Sequence, residues 1–267
     1  MWIAFPVGVI LTFAAAGSDM SSSAVLTNEE TGKKAGFASE LNRPKFAIMN
    51  PELTYTLPKY QVACGVVDIM MHTLERYFLP DTEKNQLTDE IAEGILRTVI
   101  ENGKIAYENP SDYDAMSEIM WCASLSHNDL TGLGRGKDFT VHKFGHELSA
   151  RFDLAHGASL SAVWGTWARE VCELDYERFK QYGKHVWGIR AQDAKEAAYG
   201  AIEATESYFR QLEMPTCIGE LECGVLEDTV LQQMAESITN DGENTIGIFK
   251  KLEKEDVCQI LKKANHN

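Results

Sequence analysis

Asp68 and His72 in Gly65-Val-Val-Asp-Ile-Met-Met-His72, followed by His142 and His156 in His142-Lys-Phe-Gly-His-Glu-Leu-Ser-Ala-Arg-Phe-Asp-Leu-Ala-His156-Gly157, are the residues of this sequence best suited to chemistry. One carboxylate and three imidazoles make a complete ligand set for a borderline divalent metal. Open to one further oxygen ligand, such a set can polarise an alcohol or a carbonyl.

Asp68 and His72 are four residues apart, so on a helix they share one face. The surrounding pattern predicts that helix. Pro58 suits a first-turn position, apolar residues recur at Val62, Val66, Ile69 and Met70, and Leu79-Pro80-Asp81 is a stop. Gly65, one turn before Asp68, is expected to leave room beside a bound ion. A surface ion pair for Asp68 and a core position for His72 is the plainer reading. Against it, Asp68 is flanked by Val66, Val67, Ile69 and Met70, and a buried carboxylate needs a compensating partner.

The second pair constrains the chain path. On one straight helix, His142 and His156 would lie ~21 Å apart, too far to share an ion. A break is therefore expected at Arg151-Phe-Asp-Leu-Ala155, with His156-Gly157 leading into the next helix. His146, at i+4 from His142, is as well placed by helical arithmetic. A His142/His146 pair with Glu147 as base would suggest a metal-dependent hydrolase, although in the zincin pattern the Glu follows the first His. Spacing alone leaves both assignments open.

The chain of 267 residues, 44% hydrophobic, can bury one large core or two modest ones. Its formal net charge of -15 argues against nucleic acid and anionic membranes as partners. Six cysteines without a Cys-x-x-Cys read as reduced thiols of a cytoplasmic protein, with no support for a Cys217–Cys223 disulfide. The apolar stretch from Trp2 to Ala16 lacks a preceding basic residue, is interrupted by Pro6 and Gly8, and is too short to span a bilayer. It is read as a buried strand over Val7–Thr12, with a signal peptide, whose apolar region and Ala-Ala-Ala-Gly end it resembles, as the alternative.

Short strand-like runs (7–13, 24–27, 45–49) occupy the first ~55 residues, and helical periodicity follows from Pro58. Helices are expected from near Thr88 and from near Ser111, where Ser111-x-x-Asp114 resembles a capping box. Others are expected over 141–152, 159–172, 176–187, 191–212, 226–238 and 255–264. Met116, Met120, Trp164 and Trp167 are read as core, and His127, His185 and His266 fit no constellation. The expected fold is mainly α: a β-rich segment, 1–55, attached to an all-helical domain, 56–267.

At this level of detail the chain resembles the iron-containing (group III) alcohol dehydrogenase family, in its butanol dehydrogenase and aldehyde reductase branch. The resemblance rests, in order, on Leu11-Thr-Phe-Ala-Ala-Ala-Gly-Ser18, Thr31-Gly-Lys-Lys34, Leu53-Thr-Tyr-Thr-Leu-Pro58, Gly65-Val-Val-Asp-x-x-x-His72, His142-Lys-Phe-Gly-His-Glu147 and His156-Gly157. It implies Fe2+ or Zn2+ held by Asp68, His72, His142 and His156. It places His146, as a non-ligand, in the cleft near substrate and nicotinamide; one helical turn from His142, it is the candidate relay for the alcohol proton. It also implies NAD or NADP contacts at Thr12, Gly17, Ser18, Lys34 and Leu53, and a small alcohol or aldehyde as substrate. Asp19, Ala16 and Asn50 depart from the usual Glu, Thr and Asp of the family.

The glycine-rich Gly-Gly-Gly-Ser turn that holds the pyrophosphate in such enzymes is not in this sequence. Residues 1–55 therefore read as the remnant of an α/β dinucleotide-binding domain. A homodimer, or an N-terminal half supplied by another chain, would fit that reading. A non-catalytic metal-binding remnant and the hydrolase are the competing functional classes.

Overall fold

The computed structural model describes residues 5–28, 30, 34–79 and 85–267. Its organising element is α1 (Lys59–Tyr77), in which every residue from Val62 to Tyr77 is buried. A helix buried on all sides must be enclosed by others. Packed against α1 are α2 (Gln86–Glu108), α3 (Tyr113–His127), α4 (Thr140–Phe152) and α5 (His156–Val171). Among the described residues the helical body also includes α6 (Tyr176–Val186), α7 (Ala194–Gln211), α8 (Asp228–Thr239) and α9 (Lys254–Ala264). Met116, Met120, Trp164 and Trp167 are core, as their spacing suggested.

The break between the second pair of histidines falls where expected. The chain leaves α4 through Asp153 in a left-handed conformation (φ 54°) and re-enters a helix at His156 itself, three residues earlier than the pattern indicated. The start of α3 differs more. Asp112, not Ser111, is its N-cap, accepting from the Ala115 backbone N–H at 3.0 Å. An aspartate carboxylate is a strong cap, and it displaces the expected Ser111/Asp114 box. The Pro80-Asp81 stop lies outside the described residues, and α1 ends at Tyr77.

Among the described residues, four short strands lie ahead of α1. β1 (Gly8–Ile10) pairs in parallel with β4 (Phe46–Ile48), and β2 (Ser23–Thr27) pairs antiparallel with β3 (Lys34–Ala38). The expected buried strand over Val7–Thr12 is thus shorter and not buried, with Val7 and Ile10 both exposed. Phe5, Phe37, Phe46 and Ile48 are exposed with them. Parallel strands are ordinarily covered on both faces, and among the described residues no third strand joins this pair.

A buried ionic knot closes the far end of α1. Arg178 on α6 donates to the Tyr77 carbonyl at 3.0 and 2.7 Å and makes a two-pronged pair with Asp89 of α2 at 2.7 and 2.8 Å. Arg135 reaches the same carboxylate at 2.7 Å. Burial works to raise the Asp89 pKa, but Arg178, then Arg135 and Gln181, outweigh it and hold it at about 2. The folded pKa lies below the unfolded one, so this stabilisation is complete above about pH 4 and is lost as pH falls towards 2. Asp89→Asn should cost about 3–5 kcal/mol at neutral pH, because two arginines lose their partner, and should flatten the loss of stability between pH 4 and 2. Urea midpoints of both proteins across that range check this; parallel pH profiles would refute it.

Candidate metal centre

Asp68, His142 and His156 come together from α1, α4 and the first residue of α5. One ligand atom from each lies within 4.8 Å of the other two. Asp68 Oδ1 stands 3.5 Å from His142 Nε2 and 3.7 Å from His156 Nε2. Those separations exceed an ordinary N–H···O hydrogen bond, and Asp68 Oδ1 and His142 Nε2 are both buried without a hydrogen-bond partner. Ligands about 2.1 Å from a tetrahedral cation stand about 3.4 Å from one another. The unpartnered atoms are therefore spaced as the ligands of a small divalent cation.

His72 lies beside this trio. Its Nδ1 is 3.2 Å from Asp68 Oδ1 and donates to the Asp68 backbone carbonyl at 2.9 Å, since a carbonyl can only accept. That leaves Nε2 with the lone pair, but the group whose ligand atoms lie within 4.8 Å of one another is Asp68, His142 and His156, without His72, so three of the four expected ligands are brought together. Its ring centroid is 4.4 Å from that of His142.

The electrostatics follow from burial. For Asp68, burial acts upward, but the neighbouring imidazoles of His72, His142 and His156 outweigh it and hold the carboxyl well below the usual range. Burial depresses His72, although Asp68 opposes it. Burial likewise pushes His156 down to about 3 against the pull of Asp68, helped by His142 and His146. Neutral imidazoles are the form that ligates. His142 goes the other way: burial is overcome by Glu75 and Asp68, and it rises to about 9.

His146 is half-buried on the next turn of α4, its ring stacked on that of His156 with centroids 5.0 Å apart. Glu147, the base of the hydrolase reading, is engaged elsewhere, accepting from Arg151 at 3.2 Å and from the Ser237 hydroxyl at 2.7 Å. Three neighbours escaped the sequence reading. Glu75 is fully buried and accepts from His142 Nδ1. His127 lies buried against His72, ring centroids 3.9 Å apart, with its Nδ1 accepting from Arg76 at 3.1 Å. Phe139, left-handed at φ 56°, sits 4.8 Å centroid to centroid from His142. Glu75 and Arg76 occupy the same run of α1 as Asp68 and His72, which was the available signal. No local pattern brings residues 127 and 139 to this point.

The expected nicotinamide contacts lie on the N-terminal segment. Thr12 and Ser18 are exposed in the loop between β1 and β2, Gly17 is buried between them, and Leu53 is exposed on the short turn before α1. Lys34 opens β3; its side chain, with Thr31-Gly-Lys33, lies outside the described residues. This loop is seated on the helical body. A Cβ on Gly65 would strike the Ala14 carbonyl, and one on Gly17, itself at φ 57°, would strike the Ala123 carbonyl. Gly65 thus admits a neighbouring backbone rather than clearing space for an ion. Asp19 is buried and accepts from the Ser124 hydroxyl.

Two family models divide the chain. Residues 62–265 match the C-terminal part of the Fe-containing alcohol dehydrogenase family, and residues 3–51 match the iron-containing alcohol dehydrogenase model. The chain belongs to this family. NADH-dependent butanol dehydrogenase A of Clostridium acetobutylicum is 40% identical over 261 residues, which are 97% of this chain and 66% of that protein. NADPH-dependent aldehyde reductase YqhD of Escherichia coli is 35% identical, over 96% of this chain and 62% of that protein. The crystal structure of E. coli YqhD superposes with a TM-score of 0.92 at 34% identity, covering 98% of this chain and 66% of that one. NADH-dependent butanol dehydrogenase A of Thermotoga maritima gives 0.91 at 31% identity, covering 98% of this chain and 67% of that one. The chain thus spans just under two thirds of the length of the curated relatives it matches.

Because Gly65 admits the Ala14 carbonyl, Gly65→Ala should destabilise the protein by about 1–3 kcal/mol, as overpacking does. Gly17→Ala should add left-handed strain of about 1–2 kcal/mol to a similar clash. Chemical denaturation of the two variants measures both, and wild-type stability in either would show that the loop is not so seated.

Proposed function

We propose that this chain is the metal-binding portion of an NAD(P)-dependent alcohol dehydrogenase or aldehyde reductase acting on primary alcohols or aldehydes, in the manner of the butanol dehydrogenases. The observation that carries the reading is the meeting of two unpartnered buried ligand atoms, on Asp68 and His142, with His156 at cation-ligand spacing. Asp68, His72, His142 and His156 are assigned as the residues that hold Fe2+ or Zn2+. Bound there, the cation supplies a Lewis acid for the substrate oxygen, and the nicotinamide supplies the redox chemistry.

The chain's own groups do the rest. Asp68 remains ionised among the imidazoles and fixes the charge of the site. His146, stacked on His156 at the rim, is assigned to exchange the proton of the substrate hydroxyl with solvent. Thr12, Gly17, Ser18, Lys34 and Leu53 are assigned to the cofactor, on a segment, 1–55, that forms one wall of the cleft beside the helical unit, 56–267. The engagement of Glu147 with Arg151 and Ser237 disfavours the hydrolase.

The purified chain should carry about one Fe or Zn per molecule, as expected of a single ligand set. His142→Ala and His156→Ala should lose it, and His146→Ala should keep it. Elemental analysis of the three variants decides the assignment, and equal loss in all three would return His146 to the ligand set.

Activity should depend on more than these 267 residues. No glycine-rich phosphate turn is present, and the apolar strand residues Val7, Ile10, Phe46 and Ile48 face solvent. A dinucleotide held by one wall has few polar partners to offset its immobilisation, and hydride transfer needs close alignment. Butanal reduction with NADH or NADPH by the metal-loaded chain alone should be negligible. It should appear when the N-terminal third of a butanol dehydrogenase is supplied in cis or in trans. Robust turnover by the isolated chain would show the cofactor site to be complete.

A further inference from the structure

We propose that Glu75 is the residue that positions His142 for the cation, by fixing which of its ring nitrogens carries the lone pair. The proposal rests on the metal-site reading above. Glu75 follows His72 on α1 and is fully buried. Its Oε2 accepts from His142 Nδ1, and a carboxylate can only accept, so the Nδ1 atom holds the ring hydrogen. Of the two ring nitrogens it is then Nε2 that gives up its hydrogen to receive a cation, and it is the atom that stands 3.5 Å from Asp68 Oδ1.

Glu75 is an expensive residue to bury. Among the described residues no lysine or arginine lies within ion-pair distance of it; its ion-pair partner is His142, and the Arg76 guanidinium attracts it from further off. Removing a carboxylate from water without a strong cationic partner is costly, and an apolar side chain would serve packing better. A competing structural role is visible. The N-cap of α4, Phe139, contributes no side-chain hydrogen bond, and Glu75 Oε1 reaches across to accept from the backbone N–H groups of Val141 at 2.6 Å and His142 at 3.3 Å. Capping alone would leave the choice of ring nitrogen unexplained, so the two roles have to be separated by experiment.

Glu75→Gln separates them. Its amide oxygen can still accept from the Val141 N–H, which keeps the cap. Its NH2 group must then face His142 Nδ1, where a donor would meet a donor. The backbone N–H groups cannot change, but the imidazole can move its hydrogen to Nε2. There it occupies the lone pair intended for the cation and can bond to Asp68 Oδ1 instead. The metal-free variant should therefore keep its fold while losing affinity for metal.

The test is Zn2+ affinity, measured by chelator competition on the full chain, alongside the melting temperature and far-ultraviolet dichroism of the metal-free proteins. Glu75→Gln should raise the Kd by about 10–100-fold, the range found when the partner of a ligating histidine is lost, with little change in metal-free melting. An unchanged Kd with a lowered melting temperature would make Glu75 a cap only and overturn the proposal. A second measurement does not depend on the variant folding. In long-range 1H–15N spectra of the zinc-loaded wild type, His142 should be protonated at Nδ1, and protonation at Nε2 overturns the proposal. Failure of the wild type to bind zinc would overturn the metal-site reading, and this one with it.

Discussion

A carboxylate oxygen sealed inside the central helix is the constraint around which the molecule is arranged. Asp68 lies on α1 with its Oδ1 buried and without a hydrogen-bond donor from the described residues. An ionised carboxylate in such a place costs several kcal/mol unless positive charge is brought to it. Imidazoles that can hold a cation against it converge from three helices: His72 from α1 itself, His142 from the first turn of α4, and His156 from the first residue of α5. The break between α4 and α5 is what lets the last two face one carboxylate.

The same helix carries the groups that hold those imidazoles in place. Glu75 ties the start of α4 to α1 through side-chain and backbone acceptors, the Glu75 carbonyl taking the Asp138 N–H at 2.8 Å. Asp138 in turn accepts from the Ile248 and Phe249 N–H groups at 2.6 and 2.7 Å. Phe139, between these anchors, is held in a left-handed conformation that non-glycine residues rarely keep without such support. Arg76 donates to the His72 carbonyl at 2.7 Å and holds His127 against His72. A run of nine residues, 68–76, thus contributes ligand candidates and their supports, which explains why α1 is buried all round yet carries Asp68, His72, Glu75 and Arg76.

The N-terminal segment obeys a different logic. Its loop is pinned to α1 and α3 by backbone contacts at Gly65 and Gly17, while its strands leave apolar side chains in solvent. The part that touches the helical body is well seated, and the part that would belong to a larger parallel sheet is only half covered. Among the described residues no helix is long and apolar enough to cross a membrane.

The sequence by itself determined the mainly helical fold, the break between His142 and His156, the family, and the candidacy of Asp68, His142 and His156. Period, helix punctuation and donor chemistry are local properties, and each was written in a short window. Tertiary structure alone decided which nitrogen of His142 faces Asp68, because that depends on the Glu75 carboxylate brought from another helix. It alone placed His127 and Phe139 beside His72, since no periodicity links α3 or the loop before α4 to α1. It also reassigned Gly65, whose missing side chain admits the Ala14 backbone from 51 residues earlier in the chain. A spacing rule can say which residues share a helix face; only packing says what that face meets.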